Sequence, residues 1–116
     1  MTSCADDQFW REMQALLSGA ELIIDRPRGR PHPRYPELIY PLDYGYLQGT
    51  TAGDGQGIDV WLGASGSRKL TGILCTFDIV KKDAEVKLLA GCSSQEVQTI
   101  LSFSETFICS LYIPRP

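Results

Sequence analysis

The chain has 116 residues, a net charge of −3, and 43% apolar and 22% charged residues, a balance typical of one globular domain. No apolar run approaches the ~18 residues that a membrane span needs, and residues 1–8 lack the basic and apolar regions of a secretory signal. We therefore expect a single domain over residues 1–116, in a cytoplasmic protein with no membrane partner.

The first predicted element is a helix that Asp6 caps and Gly19 ends. Its apolar residues recur at helical spacing, which is typical of a helix packed on a core rather than of a chemical site. The stripe consists of Phe9, Met13, Leu16 and Leu17. A strand is predicted over residues 21–25.

The next segment, residues 26–36, has four prolines, which exclude a helix interior or a central strand. We expect an extended loop, in which alternate residues share one side. The even positions would form a single basic edge: Arg26, Arg28, Arg30, His32 and Arg34. Because this segment contains no acid while the remaining residues are net acidic, we expect a local anion site rather than a nucleic-acid-binding surface. The alternative is a solvated loop.

Strands are predicted over residues 38–47 and 57–63, followed by a hairpin over residues 72–92 that turns at Lys82-Asp83. This register places Asp78 opposite Lys87 and puts Glu85 on the same side, which is either a site or a solvated face with an ion pair. A capping box predicts a helix after residue 93, and a last strand covers residues 107–113. The order predicts an α+β fold: a small antiparallel, OB-like β-barrel with flanking helices, or a strongly curved sheet with helices alongside.

Four acids form a candidate metal site. Asp54 and Asp59 lie five residues apart across a glycine-rich turn, and Asp78 and Glu85 lie on the hairpin. Carboxylate oxygens suit Mg²⁺ or Mn²⁺. Pairs at this spacing are also common in ordinary surface turns.

Three motifs, YPLDYGY, DGQGIDV and EVKL, follow one another along the chain in the order that is typical of soluble inorganic pyrophosphatases. Tyr40-Pro-Leu-Asp-Tyr-Gly-Tyr46 resembles the Y-P-x-N-Y-G-Y element of that family. Asp54-Gly-Gln-Gly-Ile-Asp59-Val is similar to its D-G-D-P-x-D-V metal motif, and Glu85-Val-Lys87-Leu to its D-x-K element. The resemblance extends from about Glu21 to Lys87, and it implies a pyrophosphatase-like barrel that hydrolyses inorganic pyrophosphate with Mg²⁺, or Mn²⁺, as cofactor.

The resemblance also implies roles for individual residues. The metal ligands would be Asp54, Asp59, Asp78 and Glu85, with Asp83 competing for the place of Asp78. The substrate would be bound by Arg28, Arg30, His32, Arg34, Tyr44 and Lys87. The catalytic residues would be Asp59, Lys87 and Tyr44. The resemblance also implies that the protein is a homo-oligomer. Its substrate would be a small molecule, and nucleic acid would not be a partner.

Two positions depart from the family pattern. Gln56 stands where the family has the acid that bridges metals and activates water, and Asp43 replaces an asparagine. A glutamine side chain cannot accept the proton of an attacking water. The alternatives are therefore a phosphate- or nucleotide-binding pseudoenzyme, a hydrolase of a different phosphoanhydride, or a small barrel that binds single-stranded nucleic acid.

Overall fold

The computed structural model describes residues 4–116, so the first three residues of the segment predicted to lack a secretory signal lie outside the described residues. Two helices and six strands follow one another along the chain: α1 (Cys4–Gly19), β1 (Leu22–Arg26), β2 (Asp43–Leu47), β3 (Asp59–Leu62), β4 (Leu70–Asp78), β5 (Asp83–Ala90), α2 (Ser94–Ser104) and β6 (Cys109–Pro114). Within the described residues, neither helix is long and apolar enough to cross a membrane.

The strands form one open, mixed sheet in the order β1-β2-β3-β5-β4-β6. All neighbouring strands are antiparallel except β3 and β5, which run parallel. The α+β class is correct, but the predicted closed antiparallel barrel is wrong. The chain passes from β3 to β4 without pairing the two, so β5 takes the place beside β3 in parallel, and β1 and β6 remain separate edges.

Both faces of the sheet are covered. Side chains alternate between the two faces along a strand, and the adjacent pairs Val60/Trp61 and Leu88/Leu89 accordingly divide between two hydrophobic clusters. The cluster under α1 includes Leu17, Leu47, Val60, Leu70, Ile73, Leu88 and Ala90. The cluster under α2 includes Tyr40, Leu42, Trp61, Leu74, Leu89, Cys92, Val97 and Ile100. Asp59, Glu85 and Lys87 have the parity of Trp61 and Leu89, and they therefore lie on the α2 face.

The helix signals in the sequence are largely confirmed. Ser93 Oγ accepts the Glu96 N–H at 3.1 Å, and Glu96 Oε1 accepts the Ser93 N–H at 2.9 Å, which is the predicted capping box. Leu17 is fully buried, and the rest of the predicted α1 stripe packs against the same cluster. Asp6 is not the cap, because α1 begins at Cys4 and Asp6 falls in its first turn.

The predicted hairpin register is wrong, although its faces are correct. Asp78 pairs with Asp83 and Leu74 with Lys87, so each partner differs by four residues from the prediction. The turn is displaced because Asp78 Oδ1 accepts the N–H groups of Val80 and Lys81, at 2.9 and 3.0 Å. An even shift keeps every side chain on its face.

The basic segment folds back on itself instead of remaining extended. Gly29 N–H donates to the Tyr40 carbonyl, Tyr40 N–H donates to the Arg30 carbonyl, and Pro31 bridges Ile39. Gly29 supports the turn with a φ of 86°, which is favourable for glycine. The predicted single basic edge is therefore wrong, since the arginines point to different parts of the surface.

Candidate functional site

Lys87 is the centre of the candidate site. Its Nζ donates to Tyr44 Oη and to Asp59 Oδ2, each at 2.8 Å, and lies 3.8 Å from Glu85 Oε2. These four side chains come from β2, β3 and β5, which are neighbours in the sheet. The side chains of Lys87, Asp59 and Glu85 are only 12%, 23% and 14% exposed. The predicted partner of Lys87 was Asp78, but the register brings Asp59 there instead.

An aromatic layer between the sheet and α2 packs against this centre. The Tyr44 ring contacts Trp61 at 4.8 Å between centroids, and Phe103 of α2 lies 4.9 Å from Tyr40. Burial, followed by the negative charge of Asp59, raises the pKa of Tyr44 well above its ordinary value. The phenol therefore stays protonated at neutral pH, with its oxygen fixed against Lys87.

Asp54 and Glu85 form a pair of interacting carboxyls beside Lys87. The backbone N–H of Gln56, 2.9 Å from Asp54 Oδ1, is the main reason why the pKa of Asp54 is lowered. Burial raises the pKa of Glu85; the charge of Lys87 opposes this, and Asp54 adds to it. Glu85 Oε1 is buried and has no hydrogen-bond partner among the described residues. It is therefore a buried acceptor that no donor of the described residues satisfies.

Residues from the basic segment and β1 supply positive charge. Arg26 donates to Tyr40 Oη at 2.7 Å. His32 Nδ1 accepts the Arg34 N–H at 3.0 Å, so its remaining hydrogen is on Nε2. Burial, and then the charges of Arg26 and Arg34, lower the pKa of His32. The imidazole is therefore neutral at neutral pH and offers one N–H donor.

Lys87, Glu85, Asp54, Arg26 and His32 face a cleft of about 340 Å³. The predicted site residues Asp59 and Tyr44 contact Lys87 but are not part of the cleft wall. Four cationic side chains line it (Arg26, Arg34, Lys81 and Lys87), together with four carboxylates (Asp54, Asp78, Asp83 and Glu85). His32, Pro33, Tyr35, Phe107 and Ile108 complete the wall. Asp78 and Asp83 both reach the cleft, but one oxygen of Asp78 accepts the turn N–H groups. Charges of both signs in one cleft suit an anion that is bound with a cation.

Some predicted residues lie away from this cleft. Arg28 faces a separate groove beside the start of α2, and its N–H donates to Asp43 Oδ1 at 2.8 Å. Arg30 is exposed and is not part of the cleft wall. Gln56 is also exposed, in the turn that Asp54 holds.

Sequence reasoning placed Arg26 on the predicted basic edge but not among the substrate-binding residues. It did not select Lys81, Tyr35 or Phe107 for the site. Phe107 had no signal, because it comes from the segment after α2, which only the tertiary fold brings to the basic segment.

The residues present fit a magnesium ion that binds with its ligand rather than alone. No group of three metal-binding side chains converges among the described residues. Mg²⁺, however, commonly uses one or two carboxylates together with the phosphates of a substrate. Asp54 and Glu85 provide such a pair at the cleft wall, and Glu85 Oε1 is a buried oxygen without a donor.

Comparison with known proteins supports the fold alone. No protein-family model and no curated protein matches the chain. Among solved structures, the fold is similar to that of an inorganic phosphatase from Anaplasma phagocytophilum, with a TM-score of 0.58. The identity is 16%, over 81% of this chain and 83% of that one. The described chain is thus similar in fold to that phosphatase.

Proposed function

We propose that the protein hydrolyses inorganic pyrophosphate with the help of Mg²⁺ or Mn²⁺. The observation that carries the proposal is Glu85 Oε1, a buried carboxylate oxygen without a donor, in a cleft that also holds Asp54, Lys87, Arg26 and Arg34. A buried carboxylate oxygen without a donor is unfavourable unless something binds it. The similarity in fold to an inorganic phosphatase supports the same reading.

In this proposal Asp54 and Glu85 hold the metal ion, with Asp78 or Asp83 as a further carboxylate at the cleft wall. When bound, the metal neutralises substrate charge and lowers the pKa of a bound water. Asp59 pairs with Lys87 at 2.8 Å and so orients the ammonium group. Asp59 thereby acts as a positioning residue, which holds Lys87 and does not itself contact the substrate.

Lys87, Arg26 and Arg34 would bind the phosphoryl oxygens and stabilise the charge that develops on the leaving phosphate. His32 adds a neutral N–H donor. Tyr44 fixes Lys87 from the other side, at 2.8 Å. Because Arg28 and Arg30 lie outside the cleft wall, the proposal does not give them a contact with the substrate.

The test is release of phosphate from pyrophosphate by the purified chain, with and without Mg²⁺, alongside calorimetry of pyrophosphate binding. We expect hydrolysis that requires the metal, and pyrophosphate affinity that rises when Mg²⁺ is present. Pyrophosphate binding that is unchanged by metal, with no phosphate release, would rule out the proposed activity.

A phosphate-binding protein without activity is the second candidate, and Gln56 favours it. The Gln56 carboxamide lies exposed in the Asp54 turn and cannot accept a proton. This candidate predicts metal-dependent calorimetric binding without phosphate release. A binder of single-stranded nucleic acid would instead show steep salt dependence and no metal requirement. The four carboxylates in the cleft disfavour that third reading.

Self-association remains part of the proposal. β6 is a free sheet edge, and apolar side chains around it are exposed, including Phe77 at 45%, Leu111 at 63% and Ile113 at 38%. Exposed strand edges and contiguous apolar patches are typical of association sites. Sedimentation equilibrium should show a homo-oligomer, and a Leu111→Lys variant should shift it toward the monomer.

A further inference from the structure

The cleft has an aromatic wall that a bare pyrophosphate ion would not use. Tyr35 and Phe107 stack at 5.9 Å between centroids, with 27° between their planes. His32 contacts both rings, at 5.1 and 5.2 Å. All three residues line the same cleft as Lys87 and Arg26. Tyr35 is nevertheless 40% exposed, so part of its ring surface is available to a ligand.

The aromatic wall also borders a second groove. Tyr35 and Phe107 line the cleft around Lys87 and, in addition, a neighbouring groove of about 840 Å³. That groove carries apolar Leu38 and the carboxylates of Glu37 and Glu105. Inorganic pyrophosphate presents only phosphate oxygens, which gain nothing from an aromatic face or from further carboxylates. The combined surface is suited to a longer ligand.

We infer that the preferred substrate is a nucleoside diphosphate or triphosphate, whose base stacks on Tyr35 while its phosphates occupy the cleft. The inference rests on the proposed function and specifies the substrate class for the same site. Every base has a face that stacks on an aromatic side chain. Glu37 and Glu105 offer acceptors for ribose hydroxyl and base amino groups.

The reaction follows from the proposed hydrolysis. Water attacks the terminal phosphorus, the bridging oxygen–phosphorus bond breaks, and the bridging oxygen leaves with the shorter nucleotide. The products are inorganic phosphate, the nucleotide with one phosphate fewer, and one proton. No oxidant, reductant or other co-reactant is required.

A purely structural role of Tyr35 predicts something different. If the contact between Tyr35 and Phe107 only holds the basic segment against the end of α2, loss of the ring should affect all substrates equally. If Tyr35 binds a base, loss of the ring should affect nucleotides and spare pyrophosphate. Tyr35→Leu separates the two, because leucine keeps an apolar contact but cannot stack.

The experiment compares ADP with pyrophosphate as substrates of the wild-type chain and of Tyr35→Leu, in the presence of Mg²⁺. A base–aromatic stack is worth roughly 5- to 150-fold in affinity, so we expect kcat/KM for ADP to fall by about 10-fold or more. The value for pyrophosphate should change by less than about 2-fold. Phe77→Leu is the matched control, because Phe77 is similarly exposed, at 45%, but lies on the other sheet face and lines neither groove.

Saturation-transfer NMR on the adenine protons of ADP gives a readout that does not depend on turnover. Transfer to these protons in the wild type, and its loss in Tyr35→Leu but not in Phe77→Leu, supports the stacking of the base on Tyr35 independently of the kinetic comparison. Hydrolysis of pyrophosphate without hydrolysis of ADP and without transfer to adenine overturns the inference and leaves the proposed function intact. An equal loss of ADP and pyrophosphate hydrolysis in Tyr35→Leu also overturns it.

Discussion

Replacing Glu85 by glutamine should stabilise the metal-free protein. Glu85 is 14% exposed and its Oε1 has no donor among the described residues, while burial raises the pKa of its carboxyl. A raised pKa means that the ionised form is the one that the fold disfavours. The destabilisation is absent below the ordinary pKa of 4.5, grows as the pH rises through the folded-state pKa, and is complete above it.

The magnitude follows from the contacts of Glu85. An unsatisfied buried polar group costs ~1–3 kcal/mol, and Lys87 Nζ at 3.8 Å offsets part of this. We therefore expect Glu85→Gln to raise the free energy of unfolding by about 1 kcal/mol at neutral pH, the lower end of that range. For a chain of this size, such a gain raises the Tm by roughly 4 °C.

The same substitution should weaken the response to metal. A ligand at 100 times its Kd stabilises the folded state by ~2.7 kcal/mol, and Glu85→Gln should lose most of that gain when Mg²⁺ and phosphate are added. The assay is thermal unfolding at neutral and acidic pH, with and without both additives. Glu12→Gln is the control, since Glu12 is exposed on α1. A Glu85→Gln variant that is less stable without metal, or that keeps the full response to Mg²⁺ and phosphate, would refute the reasoning.

Three further expectations concern the same site. Asp59→Asn removes the charged partner of Lys87 at 2.8 Å and should lower the rate of phosphate release by more than ~10-fold. Asp43→Asn should change this rate little, because the amide keeps the oxygen that accepts the Arg28 N–H. Gln56→Asp should raise the rate by a few-fold, below the ~10²–10⁴-fold contribution of a well-positioned base, because residue 56 is exposed. A folded variant with weaker metal affinity and no gain in rate would contradict a metal site at the turn from Asp54 to Asp59. Calorimetric Mg²⁺ affinity in the presence of phosphate should fall as the pH drops through the raised pKa of Glu85, and an affinity independent of pH would exclude Glu85 as a ligand.

The sequence alone determined the local structure, because those signals lie within a few residues of one another. The capping box at Ser93 and Glu96 and the apolar stripe of α1 specify their own hydrogen bonds and buried faces. The shared face of Asp78, Glu85 and Lys87 was predictable for the same reason, since strand alternation has a period of two.

Only the tertiary structure decided how these pieces meet. The parallel pairing of β3 with β5 brings Asp59 to Lys87, and periodicity carries no information about which strands become neighbours. The return of the chain after α2 places Phe107 against His32 and Tyr35, about seventy residues from the basic segment. Contacts between residues so far apart in sequence depend on the packing of both sheet faces, which no local pattern encodes. That packing also leaves Glu85 Oε1 without a donor, the observation on which the proposed function rests.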